Sequence, residues 1–387
     1  MNNRAGMKKP IYLDYNATTP HDPEVIAVMK PYLEKHFGNP SSSHWYGKKT
    51  KEAVQTARSQ VASLIGCKPE EIIFTSGGTE SNNHAIAGTA AALSAKGNHI
   101  ITTQIEHPAV IEVCKFLERQ GIEVTYLPVD EYGLVDAADV ERAISSRTIL
   151  ITVMHANNEV GTIQPIEEIS KIAGRKGIVL HTDAAQSAGK IYVDVNALGV
   201  DLLSIAGHKL YAPKGIGVLY VRRGVELGKF MHGAGQESGK RAGTENVLEI
   251  VGLGKACEIA ARDLNKNMQH FRETRDQLYD GLKKKVKEIR LNGHPALRLP
   301  NTLSVCVRGI EAQDLLSAIQ DRVAASAGAA CHSGECRLSS VLTAMRVPEE
   351  WGRGTLRLST GKMTTRAKIK EALTVISNAA VRLRKQA

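Results

Sequence analysis

Between Thr50 and Tyr220 short apolar runs alternate with amphipathic stretches, and this rhythm limits the fold more than any other feature of the chain. Runs rich in β-branched residues predict strands at 71–75, 99–103, 123–128, 148–154, 178–182, 202–206 and 217–221. Apolar residues at helical spacing predict helices at 52–64, 80–95, 108–120, 140–144 and 166–176. Strand–helix alternation of this kind calls for a mostly parallel sheet covered on both faces, an α/β fold. The pattern changes at Leu248, where one long helix is expected to run toward Lys287 and to bridge two domains. A second, smaller α/β unit follows, with strands at 301–307 and 355–358 and helices at 312–319 and 365–382. A chain of 387 residues is too long for one simple core and suits two domains.

Composition removes several classes of function. Hydrophobic residues make up 42% and charged residues 23%, as in ordinary globular proteins. No window approaches the roughly 18 apolar residues of a membrane span, so no membrane association is expected. The basic segment 1–10 lacks the apolar core of a secretory signal and reads as a loose arm, and cysteines too sparse for a secreted disulfide scaffold make the cytoplasm the expectation. The net charge of +10 raises the question of nucleic acid. Part of that excess sits at 283–285 and 382–385, at the ends of helical patterns, where cations suit the helix dipole. Aromatic residues are only 4% and do not interleave with basic runs, so no nucleic acid is expected. Of six cysteines, Cys67, Cys114, Cys257 and Cys306 sit singly in apolar surroundings and read as small buried side chains.

Several segments carry chemistry at the predicted strand ends, where parallel sheets bind their ligands. The strand at 202–206 runs into Gly207-His208-Lys209 and a Pro- and Gly-rich turn. A lysine held there suits a Schiff base, and the same tripeptide also fits a solvated surface lysine. Asp183 ends another strand and can pair with a pyridinium nitrogen, or cap a following turn. Thr75-Ser76-Gly77-Gly78-Thr79 separates a strand from a helix, and its glycines and free N–H groups suit an anion such as a phosphate. The segment lacks the GK[ST] ending of a P-loop. His107, in Glu106-His107-Pro108, is placed to stack on a flat ring and to move protons. The small-residue run 324–334 reads as a mobile loop that offers no packing reason for Cys331, so Cys331 beside His332 suits a reactive thiolate. Two alternatives use the same residues: a metal site from Cys331, His332 and Cys336, or a redox pair of Cys331 with Cys336. The spacing matches no common zinc pattern, and no metal is expected. Gly233-Ala234-Gly235 lacks the frame of a dinucleotide site.

Taken in order, these segments resemble the cysteine desulfurases of the class-V aminotransferase superfamily. The landmarks are YLDYNATTP at 12–20, FGNPSS at 37–42, FTSGGTESNN at 74–83 and EH at 106–107. HANNEVGTIQP at 155–165, HTDAAQS at 181–187, GHK at 207–209 and RAGTEN at 241–246 follow. LPNTLSV at 299–305, the SAGAACHS loop and LRLSTGK at 356–362 complete the series. The resemblance implies a pyridoxal-phosphate enzyme of fold type I, with a large domain at 17–255 built on a mostly parallel seven-stranded sheet. Segments 1–16 and 256–387 would form the small α/β domain carrying the cysteine loop, about 324–340. Lys209 would hold pyridoxal phosphate as a Schiff base. Asp183 would bind the ring nitrogen, with Gln186 near the ring oxygen and Asn158 beside it. Gly78, Thr79 and His208 would hold the phosphate, and Thr244 would reach it from the other subunit of a homodimer. His107 would stack on the ring and shuttle protons. Arg357 would grip the substrate carboxylate, with Asn16 helping to orient it. Cys331 would take sulfur from L-cysteine as a persulfide, leave alanine, and pass the sulfur to an acceptor protein.

The chain departs from the family pattern at three places. Ala206 stands where many relatives have Ser, removing one phosphate hydroxyl worth on the order of 1 kcal/mol. Lys362 replaces the Arg of the usual LSLGR. The last helical pattern runs nearly to Ala387, so an acceptor docked through a long C-terminal tail is not expected. The GAACHS loop is also shared with the selenocysteine lyases, which would release selenium from L-selenocysteine. Animal lyases carry an acidic residue where this chain has Pro108, and that favours the desulfurase reading.

Overall fold

The computed structural model describes residues 9–332 and 335–385, and side chains outside 329–337. The arm expected at 1–10 therefore lies, up to Lys8, outside the described residues. The central strands are β1 (Ile72–Thr75), β2 (His99–Thr103), β3 (Glu123–Leu127), β4 (Thr148–Thr152), β5 (Val179–Asp183), β6 (Leu202–Ala206) and β7 (Gly217–Val221). They form one seven-stranded sheet in the order β1-β7-β6-β5-β4-β2-β3. Only β7 runs antiparallel to its neighbours β1 and β6; the remaining pairs are parallel. The fold is thus α/β with a mostly parallel sheet, as the alternation requires. Strands β1, β2, β4, β6 and β7 are buried along their whole length, which is why they read as continuous apolar runs.

The helices that matter here are α1 (Trp45–Ile65), α2 (Gly78–Ala92), α3 (Pro108–Glu118), α4 (Val247–Lys285), α5 (Ala312–Ile319), α6 (Ser340–Ala344) and α7 (Arg366–Arg384). Helix α4 has 39 residues and belongs to two cores. Its N-terminal half, with Leu253 and Ile259, packs into the core of the large sheet. Leu278 and Leu282 pack instead with α5, α7 and a second sheet. That sheet is formed by β8 (Ile289–Leu291), β9 (Thr302–Val307), β10 (Ser326–Ala327) and β13 (Thr355–Ser359), in the order β10-β13-β9-β8, antiparallel throughout. The N-terminal segment joins it: Ile11–Tyr12 pairs with Val323–Ala324, and Asp14 bridges to Ser359.

Sequence and structure differ most in the segment that carries Cys331. Read as a loop of small residues, it contains strands β11 (Ala329–His332) and β12 (Glu335–Leu338), which pair Cys331 with Cys336 in antiparallel register. Alanine and glycine carry no period-two signal, so the pairing leaves no trace in the pattern. Helix α1 also begins earlier than residue 52, because the His44 side chain accepts from Gly47 N and caps it. The helix Pro23–Glu34 is absent from the sequence reading, although Asp22 as N-cap and Pro23 as first residue mark its start.

Candidate active site

The carboxyl ends of β1, β2, β4, β5 and β6 surround a cavity of about 290 Å3. Its wall includes Gly78, Thr79, His107, Asn158, Asp183, Gln186, His208 and Lys209. Each arrives by a local rule. Gly77 turns the chain out of β1 at φ 153°, a conformation that favours glycine, and α2 starts without a capping side chain. The first N–H groups of α2 therefore need partners from elsewhere. His107 is the N-cap of α3, with Pro108 at the first helical position and its Nδ1 accepting Ala109 N at 3.1 Å. That bond leaves the Nε2 atom of the neutral ring to carry the proton. Asp183 closes β5; its Oδ1 accepts Ala185 N at 2.9 Å and its Oδ2 accepts Asn82 Nδ2 at 2.7 Å.

Lys209 leaves the short turn after β6 and is only partly exposed, which corrects the surface-lysine alternative. Its Nζ donates to the main-chain oxygens of Asn16 and, at 3.0 Å, of Ala17. Burial and the nearby Arg357 push it down to about 8, against the pull of Asp183 and Asp14. Near neutral pH a useful fraction of the amine is then unprotonated and nucleophilic. Burial also pushes His208 down to about 4, with Lys209 and Lys214 adding to the effect. His208 is thus a neutral donor or acceptor, with Nδ1 3.2 Å from Thr18 Oγ1. Burial lowers His107 as well, and Asp183 opposes it.

Three expected residues do not line this cavity, and the side chain of a fourth lies outside the described residues. Arg357, on β13, forms an ion pair with Asp14 at 2.8 Å and donates to Asn158 O at 3.3 Å. Asn16 is fully buried: Asn158 O and Thr302 Oγ1 accept from its Nδ2, and Asn301 and Lys190 donate to its Oδ1. Its main-chain oxygen, however, holds both Lys209 and Gln186 Nε2. Thr244 is exposed on a loop that the Arg241–Glu80 ion pair fastens to α2. Cys331 has its main chain in β11, while its side chain lies outside the described residues, as do those of His332 and Cys336.

A model of the family described as aminotransferase class-V matches residues 11–371. A protein described as cysteine desulfurase IscS, from Dictyoglomus turgidum, is 48% identical over 379 residues, 98% of this chain and 96% of its own. The chain belongs to this family. A solved structure described as a NifS-like protein superposes with a TM-score of 0.91 at 36% identity, covering 97% of this chain and 100% of that one. SspA, solved in complex with cysteine, gives a TM-score of 0.82 at 38% identity, over 92% of this chain and 100% of its own. Enzymes of the family use pyridoxal phosphate.

The residues around the cavity fit that cofactor. The uncapped start of α2, with the Thr79 hydroxyl, offers donors for a phosphate. A carboxylate, an amide and a primary amine line the same cavity and suit a ring nitrogen, a ring oxygen and an aldehyde. The volume lies near the roughly 300 Å3 lower end of ligand pockets. Ala206 also lines the wall, and a β-carbon on Gly78 would stand 3.1 Å from its methyl.

Sequence reasoning missed three groups. Asn82 fixes Asp183; only its position in the SNN run after the Gly-rich turn hinted at it. Lys190 is 4% exposed and donates to Gln186 Oε1 at 2.8 Å, so the amide of Gln186 turns its N–H side to the site. Burial lowers Lys190 well below the usual lysine range. Asp14, the partner of Arg357, stood in a motif whose aspartate was given no role.

Proposed function

We propose that this chain removes sulfur from L-cysteine with pyridoxal phosphate, leaving L-alanine and a persulfide on Cys331 that an acceptor protein then takes. The observation that carries the reading is the convergence of Lys209, Asp183, His107 and the uncapped α2 turn on one cavity, in a chain of the desulfurase family. When bound, the cofactor draws electrons from the substrate's α-carbon. Lys209 holds it, and its lowered amine readily exchanges with the substrate amine. Asp183, fixed by Asn82, keeps the ring nitrogen protonated. Gly78, Thr79 and His208 bind the phosphate, with Thr244 of a second subunit. Gln186, held by Lys190, donates to the ring oxygen, and Asn158 lies beside it. His107 stacks on the ring and moves protons through Nε2. Arg357 exchanges part of its contact with Asp14 for the substrate carboxylate, a bidentate task suited to arginine; Asn16 supports this side through its main-chain oxygen. The Cys331 thiolate attacks the substrate sulfur: the carbon–sulfur bond breaks, the sulfur–sulfur bond forms, and the electron pair left on carbon is protonated to give alanine.

The two sheets support a division into a large unit at 17–255 and a small one from 1–16 with 256–387, although Val341, Leu342, Met345 and Val347 pack into the core of the large sheet. Among the described residues no helix is long and apolar enough to cross a membrane.

The test is a pair of variants. The purified wild type is expected to be yellow and to form alanine and sulfide from cysteine. Lys209→Ala loses the colour; Cys331→Ala keeps it and loses both products. A colourless wild type that takes up no cofactor sinks the reading, and an active Cys331→Ala with an inactive Cys336→Ala moves the nucleophile to Cys336. Selenocysteine at matched concentration tells whether selenium is preferred.

A further inference from the structure

Among the described residues the two strands of the hairpin β11–β12 pair only with each other, and a lone two-stranded hairpin is marginally stable. Its aim therefore depends on the two points where it leaves the body of the chain, Gly328 and Ser339. Ser339 is bonded to the carboxyl of Glu159, and Gly328 lies close beside it. Ser339 Oγ donates to Glu159 Oε1 at 2.6 Å. At the other root a β-carbon on Gly328 would stand 3.1 Å from the same Oε1 and would collide with Thr355, while Gly328 N donates to Thr355 O at 2.9 Å. Only glycine fits between the carboxyl and β13.

Glu159 is itself firmly placed. It is 9% exposed, and its N–H donates to Asn157 Oδ1 at 2.8 Å. It follows Asn158, on the cavity wall, and the charge of Arg357 acts on it from β13. One oxygen thus links the root of the cysteine hairpin to the wall where substrate would sit. Ser339 does a second job there, accepting Leu342 N at 3.1 Å as the N-cap of α6.

We propose that Glu159 is a positioning residue for sulfur transfer, tying the Ser339 root of the hairpin that carries Cys331 to the Asn158 segment of the cavity wall and lying against its Gly328 root. The inference rests on the desulfurase reading above. Its consequence is specific to one step. Cysteine binding at the Lys209 cavity does not use the hairpin, whereas thiolate attack does, and a misplacement of about 1 Å can cost roughly 100-fold in such a step.

The experiment compares holoenzymes of the wild type, Glu159→Ala, Glu159→Gln and Ser339→Ala. Rapid mixing with cysteine reads the first change in visible absorbance, and quenched samples read single-turnover alanine. Without substrate, mass spectrometry follows alkylation of Cys331 by iodoacetamide. Both Ala variants are expected to keep the first spectral rate and to slow alanine formation roughly tenfold, the worth of one lost charge-assisted hydrogen bond. Alkylation of Cys331 should shift by a similar factor. Glu159→Gln keeps an oxygen for Ser339 and should recover most of the loss. Wild-type alanine rates with unchanged alkylation in both Ala variants overturn the proposal. So does an equal slowing of both steps, which would place the effect in the cavity. If Glu159→Ala does not fold, the partly exposed Ser339→Ala carries the same comparison. A wild type that forms no alanine fails the function proposed above, and its alkylation arm still decides the role of Glu159.

Discussion

Glu106 and His107 are neighbours in sequence with different tasks. His107 faces the cavity, while Glu106 turns inward, 3% exposed, to accept Thr103 Oγ1 at 2.7 Å and Met154 N at 3.0 Å. Burial pushes its carboxyl up to about 8, although those two donors resist the rise. A raised carboxyl means that the folded state binds a proton that the unfolded state releases above about 4.3. Its contribution is complete below that value and is lost as pH rises through about 8. Glu106→Gln is neutral at every pH. In urea unfolding, the wild type should lose up to about 5 kcal/mol relative to this variant across that window. Parallel pH curves for the two proteins would mean that Glu106 is ionised in the folded state. At this scale the sequence was legible where chain geometry announces a residue. Lys209 and Asp183 stand at strand ends beside small residues, so their direction follows from the sheet. Asn82, Lys190 and Glu159 were not legible, because a polar residue on a helix or turn looks the same whether water or another element covers it. The Asp14–Arg357 pair joins residues 343 positions apart, which no local pattern carries.

The start of α2 shows how an element's geometry becomes a binding property. No side chain caps it, and Gly77 holds a backbone angle that only glycine adopts readily. A β-carbon at Gly77 would meet nothing within 4 Å, so Gly77→Ala creates strain without a clash. The strain, roughly 1–3 kcal/mol, is relieved by tilting the turn and with it the N–H groups aimed at the phosphate. Cofactor dissociation, followed by visible absorbance, should rise about tenfold or more, while the far-UV circular dichroism stays that of the wild type. Unchanged affinity would show that the N–H groups of α2 do not hold the phosphate. Strands were the most legible elements: β2, β6 and β7 have the bounds that the apolar runs mark. Burial on both faces makes such runs continuous, and sharp turns end them. Strand β11 was illegible because Ala329 and Ala330 are too small to report a face.

At the scale of the whole molecule, one expected participant stands apart. Thr244 is exposed, outside the cavity wall, on a loop that is nevertheless fixed. The Arg241–Glu80 pair fastens the loop to α2, and the Arg58–Glu237 pair fastens it to α1 at 2.6 Å, with Glu237 also accepting Phe74 N. A rigid loop that presents a threonine to solvent suits a surface completed by a second chain. The apolar exposure points the same way: Phe37 (79% exposed), Trp45 (64%) and Tyr46 (48%) form a ring cluster, and Phe230 and Met231 lie exposed on the loop side. An exposed aromatic cluster of this kind is a candidate contact surface for a second chain. If two copies meet there and each Thr244 reaches the partner's phosphate, dimerisation and cofactor retention are one equilibrium. Phe37→Asp combined with Trp45→Asp should then give a monomer in sedimentation velocity that also loses cofactor on dilution, although neither residue lines the cavity. Thr244→Ala should weaken retention and leave the dimer intact. A variant monomer that keeps its colour through dialysis would separate the two properties and leave Thr244 without its part in the site.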